Sequence, residues 1–235
     1  MSTDNLTLPV SEVFGPTIQG EGPHAGRACY FIRLGGCNLS CTWCDTPYST
    51  GQHGIPLSTI PRPTIHTITK DIPHNTIVVL TGGEPLMHLG RPAFTALLNL
   101  LKAKDCQVHI ETNGMTIPGA EYTHLIDHIT VSPKLGVTMV NHRHTPTLPN
   151  WAEWQGQKCI KRVWDTDNAD QFCADTIQLG ETHGFTHRNI WVMPEGTTTT
   201  QLAPRWAPLA QAAANHNINA THRLHTLAWE NKKGH

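Results

Sequence analysis

Charge is scarce in this sequence: only 15% of its 235 residues are charged, the formal net charge is −1, and no run of like charge occurs. That composition argues against a nucleic-acid binder or a protein held on an anionic membrane, both of which need a concentrated basic surface. Long hydrophobic runs are missing as well. The longest apolar stretches, such as Ile77-Val78-Val79-Leu80, fall far short of the roughly 20 residues that span a bilayer. Residues 1–15 do not resemble a signal peptide. A soluble, cytoplasmic protein with reduced cysteines is therefore expected. The seven cysteines are an odd number in a large chain, which argues against a disulfide framework. No internal repeat and no second-domain boundary is visible, so residues 1–235 are expected to form a single domain.

What is present is concentrated in Cys37-Asn38-Leu39-Ser40-Cys41-Thr42-Trp43-Cys44. The C-x₃-C-x₂-C spacing supplies three thiolates within eight residues and no fourth ligand. An iron-sulfur cubane normally takes four thiolates, so three leave one iron open to chelation by a small molecule. A structural zinc site is the less favoured alternative, because it wants four closed ligands and no second C-x₂-C is present, although His53 or His24 could complete a Cys₃His set. Cys29, Cys106, Cys159 and Cys173 stand alone and read as small buried hydrophobes. The sixteen histidines, among them His66, His74, His142, His144 and His187, scatter without metal-ligand spacing, and most of them read as solvated.

Segments rich in β-branched and aromatic residues predict strands over 29–34, 76–80, 107–111, 128–131, 158–163, 189–193 and 220–227. Phe94, Leu97, Leu98 and Leu101 recur at helical spacing after Pro92, and weaker helices are predicted over 168–181 and 202–215. This alternation predicts an α/β fold with a largely parallel sheet, binding ligands at the carboxyl ends of its strands. Residues 47–74, which lack a convincing amphipathic helix, and residues 136–157 are long for plain connections and read as functional loops or insertions. Three polar segments fall at successive strand ends: Thr81-Gly82-Gly83-Glu84-Pro85, Glu111-Thr112-Asn113-Gly114 and Ser132-Pro133-Lys134. In the first, two glycines permit close backbone approach and Glu84 offers an acceptor.

The cysteine triplet resembles the radical S-adenosylmethionine superfamily, and residues 81–85 resemble its segment that binds the cofactor's methionyl amino group. The resemblance implies that the methionyl group chelates the open iron and that electron transfer from the cluster yields a 5′-deoxyadenosyl radical. It also implies a cofactor rim of Trp43, Cys44, Asp45, Gly82, Gly83, Glu84, Glu111, Asn113, Ser132, Pro133 and Lys134. A narrower resemblance, to the 7-carboxy-7-deazaguanine synthase family, spans nearly the whole chain. It is carried by Gln19-Gly20-Glu21-Gly22, by Phe31-Ile32-Arg33-Leu34-Gly35-Gly36-Cys37, by Cys44-Asp45-Thr46, and by Arg223-Leu224-His225-Thr226-Leu227 with Trp229.

That family implies a partial, truncated β/α barrel, a [4Fe-4S] cluster, S-adenosylmethionine, Mg²⁺ and a homodimer. The reaction implied converts 6-carboxy-5,6,7,8-tetrahydropterin to 7-carboxy-7-deazaguanine with loss of ammonia, using a reductant such as flavodoxin or ferredoxin. Thr46 resembles the Mg²⁺ ligand, with Asp45 orienting a metal-bound water, and Ile18, Gln19, Gly20, Glu21, Arg33, Thr81 and His225 are the implied substrate contacts. Chemistry agrees with two of these roles. A carboxylate at Glu21 suits the amino and ring N–H groups of a pterin edge, and the Arg33 guanidinium suits its acid group. The rival within the superfamily, a glycyl-radical-enzyme activase, lacks a reason for residues 19–22, 44–46 and 224–225.

Overall fold

The computed structural model describes residues 5–52, 55–135, 138–139, 147–230, 232 and 234. His53, His142, His144 and much of the 136–157 segment lie outside the described residues.

Ten strands and six α-helices are described. In chain order they are β1 (Val10–Ile18), β2 (Ala28–Leu34), β3 (Leu39–Ser40), α1 (Pro47–Thr50), α2 (Ile65–Thr69), β4 (Ile77–Gly82), α3 (Pro92–Ala103), β5 (Gln107–Thr112), β6 (His128–Val131), β7 (Thr138–Met139), β8 (Lys158–Trp164), α4 (Ala169–Thr182), β9 (Ile190–Pro194), α5 (Thr199–Asn215), β10 (Asn219–Ala220) and α6 (Leu224–Trp229). Eight of the strands form one sheet in the order β1-β2-β4-β5-β6-β8-β9-β10, while β3 pairs with β7. Only β1 is antiparallel to its neighbour; the other pairs in the large sheet are parallel. The sheet does not close, since β1 and β10 are not paired. It is the truncated barrel that the sequence leads one to expect.

The period of two along each strand separates core from cavity. Ile32, Leu80, Ile110, Ile129 and Ile160 point outward into the main core, against α3, α4 and α5. Their neighbours Phe31, Arg33, Thr81, Glu111, Thr130 and Lys161 point inward and line one cavity. The helices start where the residue chemistry allows. Pro92 occupies the first turn of α3, the Asn168 side chain accepts from Gln171 N–H ahead of α4, and Thr198 with Gln201 forms a capping box on α5.

A second inward layer lies toward the amino ends of the strands. His24, His109 and His128 pack there with ring centroids 4.2, 4.7 and 5.6 Å apart. The His128 ring also meets the Cys159 thiol at 3.5 Å. Burial, with like charge from the neighbouring rings, holds His109 and His128 down to about 3 and about 4, so these imidazoles are neutral at physiological pH. His24, read from sequence as a possible zinc ligand, belongs to this layer and lines no part of the cavity that holds the cysteine triplet.

Two sequence expectations need correction. Residues 220–227 are not one strand: β10 ends at Ala220, and Leu224–Trp229 is helical. Parallel pairing to β9 stops at Ala220↔Val192, after which Leu224 N–H turns to Gly20 C=O at 2.9 Å across the open side of the sheet. Nor do residues 47–74 lack a helix, since α2 spans Ile65–Thr69. Ile65, Ile68 and Ile72 are buried in the main core, and the segment clamps the cysteine loop from behind. Gly36 N–H donates to Ser49 C=O at 2.7 Å, and the Gln52 amide donates to Cys37 C=O at 3.1 Å and to Leu39 C=O at 2.7 Å.

Candidate active site

The inward residues enclose a cavity of about 370 Å³ at the carboxyl ends of the strands. Cys37, Cys41 and Cys44 share its lining with Gln19, Glu21, Arg33, Thr81, Glu111, Lys161, Arg223 and His225. The cysteine loop is shaped by its own backbone, with Leu39 N–H donating to Cys37 Sγ at 3.4 Å and Cys44 N–H to Cys41 C=O at 3.3 Å. Burial pushes the Cys37 thiol up to about 11 and raises that of Cys41, so a cationic centre is needed to hold them as thiolates. In donor chemistry, three thiols that share one cavity of mixed polar and apolar lining, with room for a small molecule, fit a [4Fe-4S] cluster with one open iron.

Gly82 and Gly83 are required by the protein itself. A Cβ on Gly82 would lie 2.2 Å from Leu34 O, and one on Gly83 would lie 2.0 Å from Gly36 O. This close approach lets Gly83 N–H donate to Leu34 C=O at 3.0 Å and Glu84 N–H to Gly36 C=O at 2.7 Å, locking the turn to the cysteine loop. Both glycines line the cavity. Glu84 does not: it is 1% exposed, and its carboxylate accepts from Leu86 N–H, Thr112 Oγ1–H and Asn113 N–H at 2.9, 2.7 and 2.7 Å. Burial pushes this carboxyl up and the three donors pull it back. The side-chain acceptor expected from the sequence is thus spent inside the protein, and what this turn presents to the cavity is backbone.

The rest of the expected cofactor rim is divided. Trp43, Asp45, Asn113, Ser132 and Lys134 line the cavity beside the cysteines. Lys134 lies over the Trp43 ring at 5.8 Å and donates to Ser132 Oγ at 2.9 Å. Pro133 faces a small neighbouring pocket. Glu111 sits with the residues expected to hold substrate, accepting from Gln19 Nε2 at 3.1 Å and from Thr81 Oγ1 at 3.1 Å.

Of the expected substrate contacts, Ile18, Gln19, Glu21, Arg33, Thr81 and His225 all reach the cavity. Gly20 underlies it: a Cβ there would meet the His225 ring at 1.8 Å. Arg33 is engaged through Nε by Glu12 at 3.3 Å and lies over the Phe14 ring at 5.9 Å. Thr46 lines the cavity with its hydroxyl 3.9 Å from Cys44 Sγ. Sequence reasoning missed Lys161 and Arg223 as site residues. Both make ion pairs with Glu21, which they hold ionised, far below the usual carboxylate range, against the upward push of burial.

The fold and this cavity define a radical enzyme of the S-adenosylmethionine type, and the Radical SAM superfamily model matches residues 31–163, more than half of the chain. The 7-carboxy-7-deazaguanine synthase of Bacillus subtilis is 35% identical over 251 residues, covering 97% of this chain and 98% of its own. That of Halobacterium salinarum is 31% identical, covering 96% and 92%. The chain belongs to the 7-carboxy-7-deazaguanine synthase family within the radical SAM superfamily. Its fold is similar to the crystal structure of QueE from Escherichia coli, with a TM-score of 0.65 at 24% identity, over 94% of this chain and 96% of that one. Among the described residues no helix is long and apolar enough to cross a membrane.

Proposed function

We propose that this chain converts 6-carboxy-5,6,7,8-tetrahydropterin to 7-carboxy-7-deazaguanine with release of ammonia, a step of 7-deazapurine biosynthesis. The observation that carries the reading is the meeting, in one cavity, of three cysteine thiols with the Gln19 amide and a carboxylate-and-cation cluster of Glu21, Glu111, Arg33, Lys161 and Arg223. Cys37, Cys41 and Cys44 would hold the cluster, which with S-adenosylmethionine would supply the one-electron chemistry for hydrogen abstraction at C6 of the pterin. The chain's own residues bind, orient and enclose. Glu21 and Gln19 face the N–H-rich pterin edge. Arg33 keeps its terminal guanidinium nitrogens for the substrate carboxylate while Glu12 fixes its Nε. Phe14 and Phe31, stacked at 4.9 Å, form an apolar wall that excludes water. Anaerobic reconstitution followed by incubation with substrate, S-adenosylmethionine and a reductant such as flavodoxin or ferredoxin tests the reading. A product with the mass of 7-carboxy-7-deazaguanine, with equimolar ammonia, is expected; substrate returned unchanged by cluster-loaded protein would overturn it.

Arg33→Ala is expected to remove a charge-assisted contact worth about 1.5–3 kcal/mol, raising KM about tenfold to hundredfold. Arg33→Lys recovers part of this, because an ammonium keeps the charge without the planar fork. Uncoupled cleavage of S-adenosylmethionine is the control. If Arg33→Ala abolishes that cleavage with the cluster fully loaded, Arg33 belongs to the cofactor and not to the substrate.

Mg²⁺ is part of the same proposal. Thr46 offers one hydroxyl beside the 69% exposed Asp45 carboxylate, so substrate oxygens and waters would have to supply most of the ligands of a Mg²⁺ held there. Thr46→Ala is expected to weaken the Mg²⁺ dependence of product formation while leaving cluster absorbance intact. Identical Mg²⁺ titrations for both proteins would remove Thr46 from the site. A homodimer, checked by light scattering on the reconstituted protein, completes the proposal.

A further inference from the structure

Lys161 occupies the middle of β8, where alternation turns it inward between Cys159 and Val163. Its side chain is 6% exposed, and its ammonium donates to Glu21 Oε2. Glu21 Oε1 accepts from Arg223 Nε at 3.0 Å. Arg223 is itself fixed, with Nη1 donating to Gly196 C=O at 2.6 Å and Nη2 lying 3.9 Å from Asp45 Oδ2. Each oxygen of the Glu21 carboxylate therefore has one cation behind it. An ionised carboxylate carries about four acceptor sites, so two remain for whatever occupies the cavity.

We infer that Lys161, with Arg223 as its counterpart, is a positioning residue that keeps Glu21 a fixed double acceptor and thereby selects a substrate edge bearing an amino group beside a ring N–H. The inference rests on the proposed function and deepens it. A buried carboxylate without such partners takes up a proton. The protonated acid then offers a donor where the substrate also offers donors. Among the described residues the charged and titratable groups facing Glu21 are Lys161 from β8 and, at the start of α6, Arg223 and His225, whose Nε2 lies 4.0 Å from Glu21 Oε1. Glu111 from β5 faces Lys161 and His225, and Asp45 and Lys134 stand at the cysteine-loop side. Burial opposes both charges of the pair; the attraction of Glu21 and Glu111 nevertheless raises Lys161, and that of Lys161, Arg223 and His225 lowers Glu21.

The test uses cluster-loaded enzyme without reductant, so that the Kd of carboxytetrahydropterin is read in the absence of turnover. Lys161→Met keeps the length of the stem and removes the charge; cluster absorbance equal to that of the parent shows that the variant is folded. Kd is expected to rise about tenfold or more at pH 7.5. An acid limb, along which binding weakens as Glu21 takes up a proton, is expected to lie at higher pH than in the parent, because burial is then opposed by one cation fewer. Lys161→Arg should restore most of the affinity and return the limb. Preference over an analogue lacking the 2-amino group should fall in Lys161→Met and recover in Lys161→Arg. Unchanged Kd and pH profile in Lys161→Met overturn the inference, as does a loss of affinity that shows no pH dependence and no change in preference for the amino group. Should Lys161→Met not load its cluster, Arg223→Gln is read by the same two measurements with the same expected and overturning results. Failure of the parent enzyme to bind or convert the pterin is a different result, since it removes the proposed function itself.

Discussion

Alanine at any one of Cys37, Cys41 or Cys44 is expected to abolish both the broad absorbance near ~400 nm of a thiolate-bound cluster and the cleavage of S-adenosylmethionine. Three thiolates are the smallest set that holds a cubane while leaving one iron for the cofactor, so two cannot substitute. The other four cysteines are buried and distant in role. Cys29 packs with Ile77 and Val79, Cys106 and Cys173 lie in the main core, and Cys159 faces His128. Burial pushes the Cys29 and Cys159 thiols up to about 12, which marks them as inert. Alanine at these positions is expected to leave the absorbance in place. The result that sinks the assignment is a Cys159→Ala protein without a cluster beside a Cys41→Ala protein that retains one.

Glu84→Ala should damage stability more than any cofactor contact. Its carboxylate satisfies three donors, Leu86 N–H, Thr112 Oγ1–H and Asn113 N–H, at a position 1% exposed. Removing it orphans all three in a dry environment at about 1–3 kcal/mol each, and partial relaxation leaves a loss of about 3–5 kcal/mol. For a domain of this size that lowers Tm by about 10 °C. Thermal melts of the two proteins decide the matter. A Glu84→Ala protein that melts with the parent but has lost affinity for S-adenosylmethionine would return Glu84 to the cofactor.

The inner strands and α3 were legible because each is a single period held without interruption, as in the apolar run of β4 and the Phe94, Leu97, Leu98, Leu101 stripe. Strand β1 was not, since Gly15-Pro16 interrupts it and its pairing to β2 shifts register between Phe14 and Thr17. Proline is tolerated there because β1 is an edge strand. The isoleucines of α2 were hidden among Pro61, Pro63 and Pro73, which cut the helical signal to little more than one turn. At the site, the cysteine triplet stood out by its spacing and Gln19, Glu21 and Arg33 were offered by the family resemblance, whereas nothing in the sequence pointed to Lys161. It stands beside Arg162 in β8, and only the register of the sheet shows which of the two cations turns inward. Glu84 misled for the converse reason: its place after a strand end is that of a ligand, but its carboxylate points back into the protein.

The open side of the sheet has a consequence for biosynthesis of the protein itself. The bonds that bridge it, Gly22 N–H to Thr221 Oγ1 and Arg223 to Glu21, join residues 199 and 202 positions apart. Contacts of that span close last, after the entropy of a very long loop has been overcome, and on the ribosome they wait until residue 223 has emerged. The cysteine loop and the strands beside it, β2, β4 and β5, are complete far earlier. The wall of the cavity made by the C-terminal residues is therefore expected to form last: in refolding, the Glu21–Arg223 contact should lag behind the pairing of β2, β4 and β5.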